Sequence, residues 1–411
     1  MRRALVGLLL VFAACGQAQG GASASPGSTA TAETSPSSGG TPSPTAQQSP
    51  TSSGPLLFAV LEAKIPGSPY TWNTAAVAGL DGYARAKATF IPMPSPDLGC
   101  MGSVLPPSAH VAAGRVYFAD GKGVVRSLST TGLVTTVATF PLTSSQQTLS
   151  FAVSPDGSRL LGAVLTASAK YFSCSASQPA HSLSLDVFSA QAGGASALLY
   201  HQSLSDASKV MALTGWDAVG PLGTYPTVWA SQGGGPGSTL GVAARIDANT
   251  GKVVRQVADP SVCQVWDMAF SGDYLCLGNP VANSAGAYDT TRAYDTTLSL
   301  HSVNGAEITH FSVTTPDGSA CCPFVAPDEQ HMVVGAYYVS VVGARNGTRF
   351  NLGSNVPGKQ FGAAGWLDSE TVIGAVSSLS PSPNLAYVRL TTPGATVSLG
   401  FPGNFVGTVN R

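Results

Sequence analysis

Asp217 and Asp267 each follow a tryptophan, in Gly215-Trp216-Asp217 and Trp266-Asp267. Two carboxylates flanking a cleft can cut a glycosidic bond, one protonating the leaving oxygen, the other acting as base or nucleophile. Aspartates at such positions also serve as turn residues, accepting backbone N–H groups. A second constellation is the doubled Tyr-Asp-Thr-Thr within residues 286–297, which sets Tyr288, Asp289, Arg292, Tyr294 and Asp295 close together. Tyrosine and arginine are favoured on binding surfaces, and an aromatic face beside a carboxylate holds a sugar. The competing reading of this stretch is a solvated hairpin tip. Trp266 and Trp72 are further ligand candidates, with core packing as the alternative for Trp266. Trp216 and Trp366 occupy the same slot of two similar segments, which points to packing.

Other chemistry is missing from the sequence. No Gly-x-Ser-x-Gly, His-Glu-x-x-His or Gly-x-x-x-x-Gly-Lys-Ser/Thr occurs, so the common hydrolase, zinc and phosphate motifs are absent. The six histidines are scattered, at His110, His181, His201, His301, His310 and His331. No cofactor and no metal are expected. Charged residues make up 10% of the 411 residues, against about 25% in an ordinary soluble domain. Lys+Arg number 20 and Asp+Glu 21, so no basic field exists to attract nucleic acid.

The N-terminus reads as an address. Met1-Arg2-Arg3 is followed by an uncharged apolar run from Ala4 to Ala14. It is shorter than the ~20 residues that a membrane-spanning helix needs, and it fits the apolar core of a secretory signal. Phe12-Ala13-Ala14-Cys15 resembles the lipobox of bacterial lipoproteins, with Phe12 standing where leucine is usual. The resemblance implies cleavage before Cys15, a lipid on its thiol and a place on the extracytoplasmic side of the cell membrane. Residues 16–55 hold ten Ser, six Thr, six Pro and seven Gly, with Glu33 as the single charge. Such a segment buries too little apolar surface to offset its ordering entropy. It is expected to be a disordered stalk with an r.m.s. reach of roughly 35 Å.

Residues 56–411 form one block of short β-type runs broken by tight turns. One hairpin recurs around Gly82, Gly132, Gly193, Gly251, Gly305, Gly347 and Gly394, at steps of 42 to 61 residues. A second turn precedes most of these, as in Ser154-Pro155-Asp156-Gly157, Ser271-Gly272-Asp273 and Ala326-Pro327-Asp328-Glu329. Two hairpins per repeat make four strands, and a period near 50 residues signals a propeller. Residues 153–164 resemble the repeat of TolB-like β-propellers, and residues 325–336 resemble it with Glu329 in place of glycine. The resemblance implies a fold and no single function. The expectation is an all-β chain with seven four-stranded blades. The C-terminal run Asn404 to Val409 is expected to complete the first blade, which otherwise lacks its innermost strand.

In such a blade the links after the second and fourth strands share one face, and the tight turns share the other. The long segments 65–75, 91–108, 166–182, 231–238 and 279–297 therefore gather on one face, where function usually sits. Setting Cys15 aside leaves Cys100, Cys174, Cys263, Cys276, Cys321 and Cys322 as disulfide candidates in an exported protein. Cys100 with Cys174 is the favoured pair, and Cys263 with the Cys321-Cys322 doublet the next, while Cys276 has no evident partner. The functional expectation is a monomeric, envelope-anchored binding or scaffold protein that recognises a protein or glycan through the long-loop face. It touches the bilayer only through Cys15. The rival is an extracytoplasmic hydrolase or lyase using Asp217 and Asp267 near the central channel.

Overall fold

The computed structural model describes residues 56–63, 72–94, 109–167, 183–204, 210–226, 241–259, 262–277, 294–315, 324–334, 340–343, 348–352, 360–377 and 384–409. All of them belong to one compact unit, Thr51–Arg411. The expected leader, the Cys15 lipid site and the stalk lie outside the described residues.

The strands, in chain order, are β1 (Leu57–Ala63), β2 (Trp72–Gly79), β3 (Ala84–Thr89), β4 (Ala109–Ala112), β5 (Arg115–Ala119), β6 (Val124–Leu128), β7 (Val134–Thr139), β8 (Gln147–Val153), β9 (Arg159–Ala167) and β10 (Leu183–Gln191). They continue as β11 (Ala197–Leu204), β12 (Ala212–Trp216), β13 (Pro221–Pro226), β14 (Gly241–Ile246), β15 (Val253–Gln256), β16 (Gln264–Met268), β17 (Tyr274–Leu277), β18 (Tyr294–His301) and β19 (Glu307–Thr315). The last are β20 (Phe324–Val325), β21 (His331–Val334), β22 (Ser340–Gly343), β23 (Arg349–Asn351), β24 (Gln360–Trp366), β25 (Thr371–Ser377), β26 (Asn384–Arg389), β27 (Val397–Pro402) and β28 (Asn404–Thr408). Pairing is antiparallel throughout, and the arrangement is a β-propeller of four-stranded blades.

The turn glycines explain the hairpins. Gly82, Gly132, Gly193, Gly251, Gly305 and Gly394 have φ between 69° and 90°, a region open to glycine and costly for most side chains. Each lies between the third and fourth strands of its repeat. Five sheets have four strands, and one has eight. Seven separate blades are expected from the sequence, whereas the described strands form six sheets. The reason is a shared edge on β14. The short β15 pairs only with Ala244–Ile246, leaving the start of that edge open, and Gly241 there pairs with Val265 of β16. β12–β15 and β16–β19 are thereby joined.

β28 pairs with β1, with Phe58 opposite Thr408 and Leu61 opposite Asn404, and the Val409 N–H donates to Leu57 O at 2.8 Å. It also lies against β24 on one side and β4 on the other.

The core sits between sheets. Alternate residues of β1 serve two of them. Phe58 and Val60 pack with Ile373, Leu385 and Phe405, while Ala59 and Leu61 pack with Val116, Phe118 and Leu128. Strands buried on both faces read as continuous apolar runs, and Leu160-Leu161-Gly162-Ala163-Val164-Leu165 of β9 is buried throughout. Gly162 is required there, because an added Cβ would lie 2.6 Å from the Phe140 ring. Neighbouring inner strands are also held by single polar contacts. Leu213 N–H donates to Ser150 Oγ (2.9 Å), Ala218 N–H to Phe270 O (2.9 Å) and Trp366 Nε1 to Phe324 O (2.9 Å).

Candidate functional site

Asp217 opens the turn after β12, where the chain must reverse within a few residues. Its carboxylate does the local work. Oδ1 accepts the N–H groups of Val219 (2.8 Å) and Gly220 (3.1 Å). Arg245 of β14 donates through Nη1 to both carboxylate oxygens at 2.6 Å. Arg245 Nη2 then reaches Gly272 O in the turn of the next hairpin. The two side chains are 6% and 7% exposed. Asp267 of β16 is also buried, and its Oδ2 accepts the Val325 N–H of β20 at 2.8 Å. Both acids thus tie one hairpin to the next. A general acid or base must reach the proton it moves within ~3 Å, and Asp217 already spends its oxygens on arginine and backbone.

Other aspartates repeat the pattern at exposed turns. Asp156 accepts from the Ser154 hydroxyl, the Ser158 N–H and the Ser158 hydroxyl, which bring its carboxyl down to about 2. The Asn249 and Thr250 N–H groups lower Asp247. The Tyr83 N–H, helped by the Arg85 guanidinium, lowers Asp81.

The aromatic candidates separate. Trp266 is buried at a β-bulge between Val265 and Asp267, and its indole N–H has no hydrogen-bond partner among the described residues. Trp72 begins β2 and is half-buried against the cluster that contains Val77 and Phe118. Trp366 is buried in the core and Trp216 half-buried on the Leu213 cluster. Tyr294 and Asp295 begin β18, opposite Thr315 and Thr314 of β19. β17 stops at Leu277, opposite Leu298, so residues 294–297 continue as a two-stranded ribbon among the described residues. Tyr288, Asp289 and Arg292 lie outside the described residues. Trp266 and Asp267 are thus brought onto one inner strand and Asp217 onto a neighbouring hairpin, while Trp72 belongs to a different sheet.

The disulfide expectation needs a correction. Cys263 is bonded to Cys276, 13 residues on, with Cα atoms 5.1 Å apart. It is therefore not bridged to the Cys321-Cys322 doublet. The two cysteines lie on the adjoining arms of one hairpin, and Val265 is the register partner of Cys276. Cys100, Cys174, Cys321 and Cys322 lie outside the described residues.

Two working residues escaped the sequence reading. Arg245 in Ala243-Ala244-Arg245-Ile246 and Ser150 in Leu149-Ser150-Phe151 are polar breaks in apolar runs, which is the signal that could have found them. His110 of β4 is a third such break. It is buried with its ring edge against Phe151 of the next inner strand (centroids 4.7 Å apart, planes at 88°).

No protein-family model matches the sequence, and no curated protein matches it. Solved structures are similar in fold. An oligogalacturonate lyase in complex with manganese matches at 9% identity and TM-score 0.47, over 81% of this chain and 90% of that one. BamB from Moraxella catarrhalis matches at 11% identity and TM-score 0.36, over 74% and 72% of the two chains. A putative TolB from Agrobacterium tumefaciens matches at 11% identity and TM-score 0.31, over 78% and 87%. These likenesses concern the propeller fold and do not extend to activity.

Proposed function

We propose that this chain is an envelope-anchored binding or scaffold protein, held by a lipid on Cys15, carried on the 16–55 stalk and recognising a protein or glycan through the long-loop face. The observation that supports binding over acid catalysis is the engagement of Asp217 by Arg245 Nη1 and two backbone N–H groups. Removing its negative charge would unseat a buried arginine, a structural cost before any chemistry begins. On this reading the ring closes through β28, and the eight-stranded sheet acts as two blades fastened at Gly241 and Val265. The ribbon begun by Tyr294 and Asp295 would carry the Tyr288, Asp289 and Arg292 segment, with Trp72 on another sheet and the buried Trp266 as further candidates.

The test is capture of the native protein from its own envelope after brief cross-linking, beside a Tyr288/Arg292/Tyr294→Ala variant. A partner lost only from the variant is the expected result. Identical partners in both samples would remove that site. Turnover of a glycan that disappears in Asp267→Asn would replace this reading with the hydrolase or lyase one.

A further inference from the structure

A second surface lies at the opposite ends of the inner strands, and we propose that it docks a basic, amphipathic segment of a partner polypeptide. The turns after β12, β16, β20 and β24 follow one another there. The Ala218–Phe270, Asp267–Val325 and Trp366–Phe324 bonds tie the four inner strands in that order. The first two turns each hold an apolar side chain out to solvent, with Val219 51% and Phe270 59% exposed. Val303, from the turn between β18 and β19, joins them. A Cβ added at Gly272 would lie 2.7 Å from Val219 Cγ2 and 3.1 Å from Val303 Cγ2, so both valines flank one glycine. The buried Asp217–Arg245 pair and the Arg245–Gly272 bond fix these turns from beneath. An exposed aromatic on an immobilised turn loses little entropy on binding, which is the property of an interface anchor.

The next two turns carry the opposite chemistry. They present Asp328, Glu329, Asp368 and Glu370. Asp328 Oδ2 lies 4.0 Å from His331 Nδ1, and Asp368 Oδ1 accepts the Glu370 N–H. Glu329 has φ 58°, where the matching turn between β8 and β9 has Gly157 at φ 71°. A carboxylate is therefore kept at a position whose backbone favours glycine. An apolar arc beside a negative arc is matched by a segment with aromatic or branched side chains followed by Lys or Arg. The same acids repel an anionic lipid surface, and in a second copy they would meet like charge. The proposal uses the face opposite the long loops and needs neither that site nor the lipid anchor.

The test selects a random displayed peptide library against the intact chain, with counter-selection on Phe270→Ser. Enriched peptides are then titrated against wild type, Phe270→Ser, Glu329→Gly and the Tyr288/Arg292/Tyr294→Ala variant. The expected peptides combine Lys or Arg with aromatic or branched residues. They should bind Phe270→Ser at least about tenfold more weakly, bind Glu329→Gly more weakly with a shallower salt dependence, and bind the triple variant unchanged. Glu329→Gly suits the backbone of its turn, and a melting curve taken beside the titration separates loss of binding from loss of folding. Failure to enrich any peptide, peptides lacking basic residues, or equal binding to Phe270→Ser would overturn the proposal. So would self-association of the chain, or binding to anionic vesicles, that Phe270→Ser abolishes.

Discussion

His110 offers the sharpest test of how the blades are held together. The residue is 7% exposed, its ring packs edge-on to Phe151, and its buried Nε2 has no hydrogen-bond partner among the described residues. Burial disfavours the imidazolium and outweighs a hydrogen bond with the Phe151 backbone, bringing the pKa from 6.5 down to about 4. The unfolded chain therefore takes up this proton at a higher pH than the folded one. The stability tied to the neutral ring is complete above pH 6.5 and is lost as the pH falls through about 4. At about 1.4 kcal/mol per pH unit the loss comes to about 3 kcal/mol. His110→Phe keeps an aromatic edge against Phe151 and removes the titration. Urea midpoints followed by tryptophan fluorescence at about pH 7 should differ by less than about 1 kcal/mol between the two proteins. At about pH 4.5 the variant should be the more stable by about 2 kcal/mol. Parallel loss of stability in both proteins between those two pH values would refute the reasoning.

The other predictions concern single contacts. Asp217→Asn should lower stability by about 3 kcal/mol by leaving Arg245 buried without its counter-charge. The Asp217→Leu/Arg245→Met double variant should recover much of that loss, as read from urea midpoints. Gly157→Ala should cost more than Gly132→Ala. Both have positive φ, but a Cβ at Gly157 runs into the Tyr117 hydroxyl, whereas nothing lies within 4 Å of one at Gly132. Strain alone predicts about 1 kcal/mol for Gly132→Ala, and equal thermal shifts would contradict the Tyr117 contact. Non-reducing peptide mapping should recover Cys263 linked to Cys276. Replacing both by alanine should cost about 3 kcal/mol for a loop of this length, and an unchanged melting curve would count against the bridge.

The hairpins were legible because their cause is local. A glycine at positive φ declares itself in the sequence, and Gly82, Gly132, Gly193, Gly251, Gly305 and Gly394 all sit where the recurring turn places them. The disulfide was not legible, because its cause is a bulge. Counting outward from the Phe270–Asp273 turn without irregularity leaves Cys263 three positions from the partner of Cys276. The extra residue at Trp266 shortens that to two, a diagonal neighbour across the strand pair. Nothing in the sequence marks Trp266 as the inserted residue. The count of sheets failed for a related reason. The length of β15 decides whether β14 has a free edge, and strand ends are set by tertiary packing.

The scarcity of charge, first read as an exclusion of nucleic acid, has a structural cause. The blades pack face to face, so middle strands lying between two sheets are buried on both faces and have no solvent side for Lys or Glu. Charges are left to the turns and the outer strands, where Asp81, Asp156 and Asp247 accept the N–H groups of the residues that follow them. In a chain built this way an aspartate beside a tryptophan is weak evidence of catalysis. The first question is which backbone N–H or arginine it holds. Asp217 has both, through Val219, Gly220 and Arg245. Phe270 and Val219 are the reverse case, apolar side chains in a turn where the fold asks for none. An exposed aromatic that no packing requirement explains is the stronger pointer to a partner.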